Sequence, residues 1–270
     1  MGPFIGIGLV AVAVALFVGY SFQGKKLYQM KSTETSQAGE LQEISASVAK
    51  DIGAGSFNQI TEVKGTVQCG SPLISELAKA DCVYYAMRVT REYEETYWDT
   101  DSNGNRVQRT RRGGDTVAQN TRSVPFYVRD ESGTIKVNPE GASYVTEKAY
   151  SRFEPGEASG QSLRIGGLTI NLGGIIGNTN RRTIGYRYEE DIIPLNRDVY
   201  VLGEAADASG ELCLQKPSGK GKKFIISVKS EEELIRGAKG AMTVLLILAL
   251  VAGIGGITLF FLSLFHVLNI

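Results

Sequence analysis

The chain has 270 residues, with 29 Lys and Arg balanced by 29 Asp and Glu. That balance removes the bulk electrostatic case for nucleic acid, and no nucleic-acid partner is expected. Three cysteines without a C-x-x-C pair, and a single histidine, His266, leave no set for a zinc site, so no metal and no cofactor are expected.

Residues 1–23 carry no charge and read as a first transmembrane helix, since about 20 apolar residues span a bilayer core. A secretory signal would put basic residues before the apolar run. Here Lys25, Lys26 and Lys31 follow it, so a retained anchor is expected. Tyr20 and Phe22 suit an interfacial position. Residues 24–56 read as a linker and an amphipathic helix, with Leu41, Ile44, Val48 and Ile52 on one stripe and Gly53 as the stop.

Residues 57–236 read as one β domain. Ile60–Val67 and Cys82–Val89 have strand character, and Ser71–Lys79 between them has a short helical look. Asn103-Gly104 is a strong hairpin signal between REYEETYW and NRVQRTRR. A two-residue turn there sets Asp101 against Arg106 and Glu95 against Arg112, which makes the basic run one side of a charge ladder. Asp99, Asp101, Asn103 and Gly104 imitate the start of a calcium loop. Thr110 stands where its bidentate Glu belongs, so no calcium is expected.

Val124–Ala142 predicts two strands around Asp130–Gly133, closed by a turn at Asn138–Gly141. Residues 154–182 are glycine-rich and read as an inserted hairpin or loop. Leu163, Ile165, Leu168, Ile170, Leu172, Ile175 and Ile176 would offer it a contact with the bilayer or a partner. Gly185–Ala205 predicts a turn at Pro194–Arg197 and then a strand. Cys213–Pro217 and Phe224–Val228 predict a last hairpin.

Ser230 with Glu233 is a capping box opening a helix, with Gly237 and Gly240 as candidate hinges. That helix runs into a second transmembrane segment, residues 237–268. Ala241–Ile270 contains no Asp, Glu, Lys or Arg.

The expected fold is mainly β, in the α+β class: an antiparallel domain between two transmembrane helices. An OB-like barrel is one form that would leave no strand edge open. Lys25, Lys26, Lys31, Arg236 and Lys239 all flank the β domain, which places it in the cytoplasm by the positive-inside rule.

Four segments in this order resemble the GIDE family, the mitochondrial membrane-anchored E3 ubiquitin ligases and their prokaryotic relatives. They are VKGTVQ at Val63–Gln68, VPFYVRDESGTIKVNPEGA, YRYEEDIIPLNRDVYVLGEA, and LQKPSGKGKKFIIS at Leu214–Ser227, the last directly before the second span. The resemblance covers residues 40–268 and implies a β domain beside a membrane that recognises a substrate or partner. In mitochondrial relatives that domain faces the intermembrane space, the side opposite to the one the lysines indicate. Family ligases also carry a zinc-binding RING after the second span. Three cysteines and one histidine cannot build its two four-ligand sites, so ligase activity is not expected of these residues alone.

No catalytic residues are expected. A Ser–His or Cys–His pair would need His266, which lies in the second span, and the carboxylates Glu94-Glu95 and Glu189-Glu190-Asp191 read as solvated faces. The expected function is binding, with the membrane and another membrane or membrane-adjacent protein as partners. The candidate recognition residues are Tyr97, Trp98, Arg109 and Arg111 on the long hairpin. Two alternatives stand beside this: a ubiquitin-transfer component working with a RING in trans, and a membrane-organising or transport-accessory protein.

Overall fold

The computed structural model describes residues 2–156, 162–165, 168–171, 180–208, 210–219 and 221–268. Two long helices, α1 (Gly2–Ser32) and α3 (Glu231–Leu268), stand at the chain's two ends. Both are long and apolar enough to cross a membrane. α1 extends past the apolar run and carries Lys25, Lys26 and Lys31 on its last turns. α3 opens on the expected box: Glu233 donates its N–H to Ser230 Oγ (3.3 Å), and Ser230 donates its N–H to Glu233 Oε2 (3.2 Å). It passes through Gly237 and Gly240 as one continuous helix, with no break at either.

α1 and α3 pack antiparallel. A Cβ on Gly6 would come within 2.9 Å of the Gly256 carbonyl, and one on Gly24 would lie 3.5 Å from Met242 Cε. The absence of side chains at Gly6 and Gly256 lets the two backbones touch.

Between them lies an α+β body. Strands β1 (Asn58–Gln68), β5 (Phe126–Arg129), β6 (Thr134–Val137), β13 (Cys213–Gln215) and β12 (Asp198–Ala206) form a ring. Each pairs with the next, and β12 closes on β1, giving a five-stranded barrel. Strands β14 (Ile225–Ser227) and β7 (Ser143–Val145) extend it from β12. The second sheet is a half-barrel in which β3 (Asp81–Thr100) pairs β2 (Leu73–Ile74) and β4 (Arg106–Ser123) along one edge. β11 (Arg181–Pro194) pairs its other edge and is followed by β8 (Glu147–Pro155). In the insert, β9 (Ser162–Ile165) and β10 (Leu168–Asn171) form a hairpin. The side chains expected to make the insert's apolar contact lie outside the described residues.

Four expectations are corrected. The barrel is mixed rather than antiparallel, because β6 pairs β13 in parallel, and its extension is mixed too, with β7 parallel to β14. Cys213–Pro217 and Phe224–Val228 are not a hairpin. β13 and β14 lie end to end along the same edge of β12. Ser71–Lys79 forms β2 and an irregular loop instead of a helix. Glu190, expected on a solvated face, is fully buried and accepts hydrogen bonds from the backbone N–H groups of Glu76, Leu77 and Ala78 at 2.8–3.1 Å. One carboxylate thus fixes the loop by satisfying three donors that a helix would have left open.

The barrel interior is filled by Val63, Val67, Phe126, Val128, Ile135, Val201 and Leu214, all buried. Helix α2 (Ala38–Asp51) closes one end with Ala38 and Leu41. It is fixed there by the β5–β6 turn. Ala38 N–H donates to Asp130 Oδ2 (2.7 Å) and Gly39 N–H to Ser132 Oγ (2.8 Å), so the turn caps the helix from outside its own sequence. A second core, with Tyr85, Met87, Val89, Tyr186 and Tyr188, lies in the half-barrel sheet.

Candidate functional site

The predicted recognition hairpin is the longest element pair of the body. β11 leaves β3 at the Glu95–Arg181 pair, and beyond it Thr96–Thr100 and Arg106–Thr110 continue as a two-stranded ribbon. The tip differs from the expected two-residue turn. Asp101 N–H donates to Asn105 O (2.9 Å), and Gly104 N–H donates to Asp101 O (3.1 Å). Asp101 Oδ1 accepts the N–H groups of Asn103 and Asn105 at 2.9 and 2.8 Å. Gly104 sits at φ +84. This is a three-residue loop ending in a left-handed glycine, selected because Asp101 satisfies the turn's own donors.

The consequence is a one-residue change of register. Glu95 faces Arg111 and Glu94 faces Arg112, and Tyr97 faces Arg109. Glu95 is held between Arg181 (2.9 Å) and Arg111 (2.6 Å), and Glu94 between Arg182 (2.8 Å) and Arg112 (3.3 Å). Hydrogen bonds from Arg181 and Arg111 lower the Glu95 pKa, and those from Arg182 and Arg112 lower that of Glu94. Arg109 pairs with Asp99 at 3.0 Å.

The four candidates therefore divide between two faces. Tyr97, Arg109 and Arg111 share one, where the Arg111 guanidinium lies 5.4 Å from the Tyr97 ring centroid. Trp98 stands on the other, 61% exposed, with the Arg106 guanidinium 5.5 Å from its ring. Each face thus offers an aromatic ring backed by an arginine, the side-chain types that most often anchor protein contacts.

A second site, absent from the sequence-level candidates, lies where the helices meet the barrel. Glu62 on the outer face of β1 is 1% exposed. Its carboxylate accepts from Thr35 Oγ1 (2.5 Å) and the Tyr200 hydroxyl (2.8 Å), and pairs with Lys64 Nζ (3.3 Å). Lys64 also reaches Glu231 on the first turn of α3 (2.8 Å). Burial pulls the Lys64 pKa down, but the bonds to Glu231 and Glu62 outweigh it and leave the pKa raised. Burial, then the hydrogen bond to Glu62, raises that of Tyr200. Met30 of α1, Tyr200 and Leu202 of β12 and Ile225 of β14 form an apolar cluster beside this network. An open groove of about 740 Å³ runs alongside, between Lys64, Arg129, Arg197 and the Lys229–Glu233 segment.

The three cysteines are unbridged, and burial raises the Cys82 thiol to about 11, away from the reactive range. Among the described residues no three His, Cys, Asp or Glu side chains are grouped to hold a metal ion.

A family model, GIDE, described as E3 ubiquitin ligase, matches residues 94–261. No curated protein and no solved structure matches the chain.

Proposed function

The chain belongs to the GIDE family, and from that membership we propose that it is a two-pass membrane protein whose β body recognises another membrane or membrane-adjacent protein. The two apolar helices support the anchoring, and their flanking lysines support a cytoplasmic body. The five-stranded ring, with its mixed and crossed order, supports reading the barrel as OB-like.

The observation that carries the recognition role is the ribbon beyond Glu95. It adds nothing to either core, yet it holds an exposed Trp98 and a Tyr97–Arg109–Arg111 face in fixed register. The test is affinity capture of the full chain from detergent-solubilised membranes. It compares the chain with a Tyr97→Ala/Trp98→Ala/Arg109→Ala variant of unchanged melting temperature. The expected result is a reproducible partner lost in the variant. The same partner set for both chains would remove the ribbon from the reading.

The family description favours a second reading, in which this body presents its partner for ubiquitin transfer by a RING on another chain. Adding a conjugation system with a separate RING protein should then modify the captured partner faster in the presence of this chain. An unchanged rate would dismiss it.

A further inference from the structure

The positive charges around the helix pair are gathered at one level by contacts that the sequence does not reveal. Gly24 of α1 lies opposite Met242 of α3, which sets the two helices in register. At 1.5 Å of rise per residue, Lys25, Lys26 and Lys31 lie within about 11 Å of that level on α1, and Lys239 and Arg236 within about 9 Å on α3. The loop before β14 joins them, because Lys223 donates its backbone N–H to Gln29 Oε1 (3.0 Å). Gln29 is one turn from Lys25, so this bond brings Lys222 and Lys223 beside the helix lysines.

None of these seven cations is ion-paired within the described residues, and all but Lys26 are exposed. The nearest acids along α3 are Glu233, Glu232 and Glu231, engaged respectively by the helix cap, by a hydrogen bond from Ser230 and by Lys64. On the far side of the level both helices are uncharged: residues 2–24 of α1 and 240–268 of α3 contain no Asp, Glu, Lys or Arg.

We propose that this collar binds the phosphate groups of anionic phospholipids in the leaflet facing the β body. The inference rests on the membrane-spanning reading of α1 and α3. The geometry suits the ligand, since the collar begins where the uncharged helix ends and its height is comparable to a headgroup layer plus one Debye length. The commitment to lipid, rather than to an acidic protein, comes from the arrangement. The cations come from three separate segments around the uncharged pair, and they share a level instead of lining a cleft.

The experiment uses the full chain in bilayers of phosphatidylcholine with about one phosphatidylglycerol in ten. The chain is extracted with its annular lipids into polymer-bounded discs, and the lipids are counted by mass spectrometry. Phosphatidylglycerol should be enriched around the native chain. The enrichment should fall roughly three- to tenfold in Lys25→Gln/Lys26→Gln/Lys222→Gln/Lys223→Gln and, independently, in Arg236→Gln/Lys239→Gln. Among the described residues these side chains make no ion pairs, so both variants should keep the native melting temperature.

Equal enrichment in native and variant chains, or none in the native chain, would overturn the collar. Loss of enrichment in added inorganic phosphate, but not in chloride of equal ionic strength, would assign the site to a free anion and overturn the lipid. A carbonate wash separates the two readings. A chain that resists it but shows no enrichment overturns the collar alone, whereas a chain released by it overturns the spans and the collar together.

Discussion

Glu62 is the residue on which the junction turns. It takes one bond from the linker after α1, one from β12, and an ion pair from Lys64, which in turn holds α3. Removing one member of a buried charged set leaves the others unpaired, so Glu62→Ala should destabilise the body by about 3–5 kcal/mol. Tyr200→Phe deletes a single bond to the carboxylate and should cost about 1.5–3 kcal/mol. Chemical unfolding of the two variants and their double mutant checks both. Strongly non-additive losses are expected for residues in one network.

Asp130 gives a pH prediction. Burial works against its charge, but the Ser132 hydroxyl and the N–H groups of Ala38, Ser132 and Gly133 outweigh that and lower its pKa. A depressed carboxylate adds stability above its unfolded-state pKa, near 4, and loses it as pH falls through the lower folded value. Asp130→Asn should therefore be less stable than the native chain at pH 7, and the gap should close in melts taken below about pH 4. Little of this was legible in the sequence. Glu62 and Tyr200 are 138 positions apart, and Asp130 finds its helix 92 positions upstream. One signal was available: Asp198–Ala206 is apolar on both faces, as in a strand covered on both sides.

At the scale of elements, the ribbon shows what local pattern can and cannot fix. Alternation and Asn103-Gly104 locate the hairpin, but its register depends on Asp101 reaching two backbone donors. A strand's side chains alternate, so one residue of slip exchanges faces. The two-residue turn would have set Arg109 opposite Trp98, whereas the observed loop sets it opposite Tyr97. The helical look of Ser71–Lys79 failed for a related reason. Its donors are taken by Glu190, more than a hundred positions away.

Because residues beyond Glu95 belong to neither core, replacing 97–109 by a short turn should leave the thermal melt of the body within a few degrees of native. The opposite is expected at Gly65, where β1 crosses β5. A Cβ there would come within 2.3 Å of the Arg129 carbonyl. Gly65→Ala must shift backbone and should cost about 1–3 kcal/mol in the same melt.

For the whole molecule, the two long apolar runs were plain in the sequence, but their contact was not. Gly253, Gly255 and Gly256 lack the clean spacing of a helix dimer, and the close approach comes from Gly6 meeting Gly256 across the length of the chain. Gly256→Leu should separate the helices there while leaving the β body folded. Cysteine pairs placed across the helices should then cross-link more slowly, with near-ultraviolet circular dichroism unchanged. The mixed barrel was equally hidden, because β6 and β13 pair in parallel over only two positions, Cys213 with Lys136 and Leu214 with Val137.

The chain has no slack between α1 and the barrel. Ser36 donates its N–H to Glu62 O (2.9 Å), Glu62 donates its own to Glu34 O (3.3 Å), and Met30 is fully buried. Helix pair and β body therefore turn together, and the ribbon becomes the arm of a lever. β3, which runs through the body and out into the ribbon, has 20 residues and is about 65 Å long. A change of about 10° in helix tilt, of the kind that follows bilayer thickness, would sweep the end of such an arm by about 11 Å. In the proposed two-pass arrangement, the thickness of the surrounding lipid would thereby set the height at which Trp98 is presented.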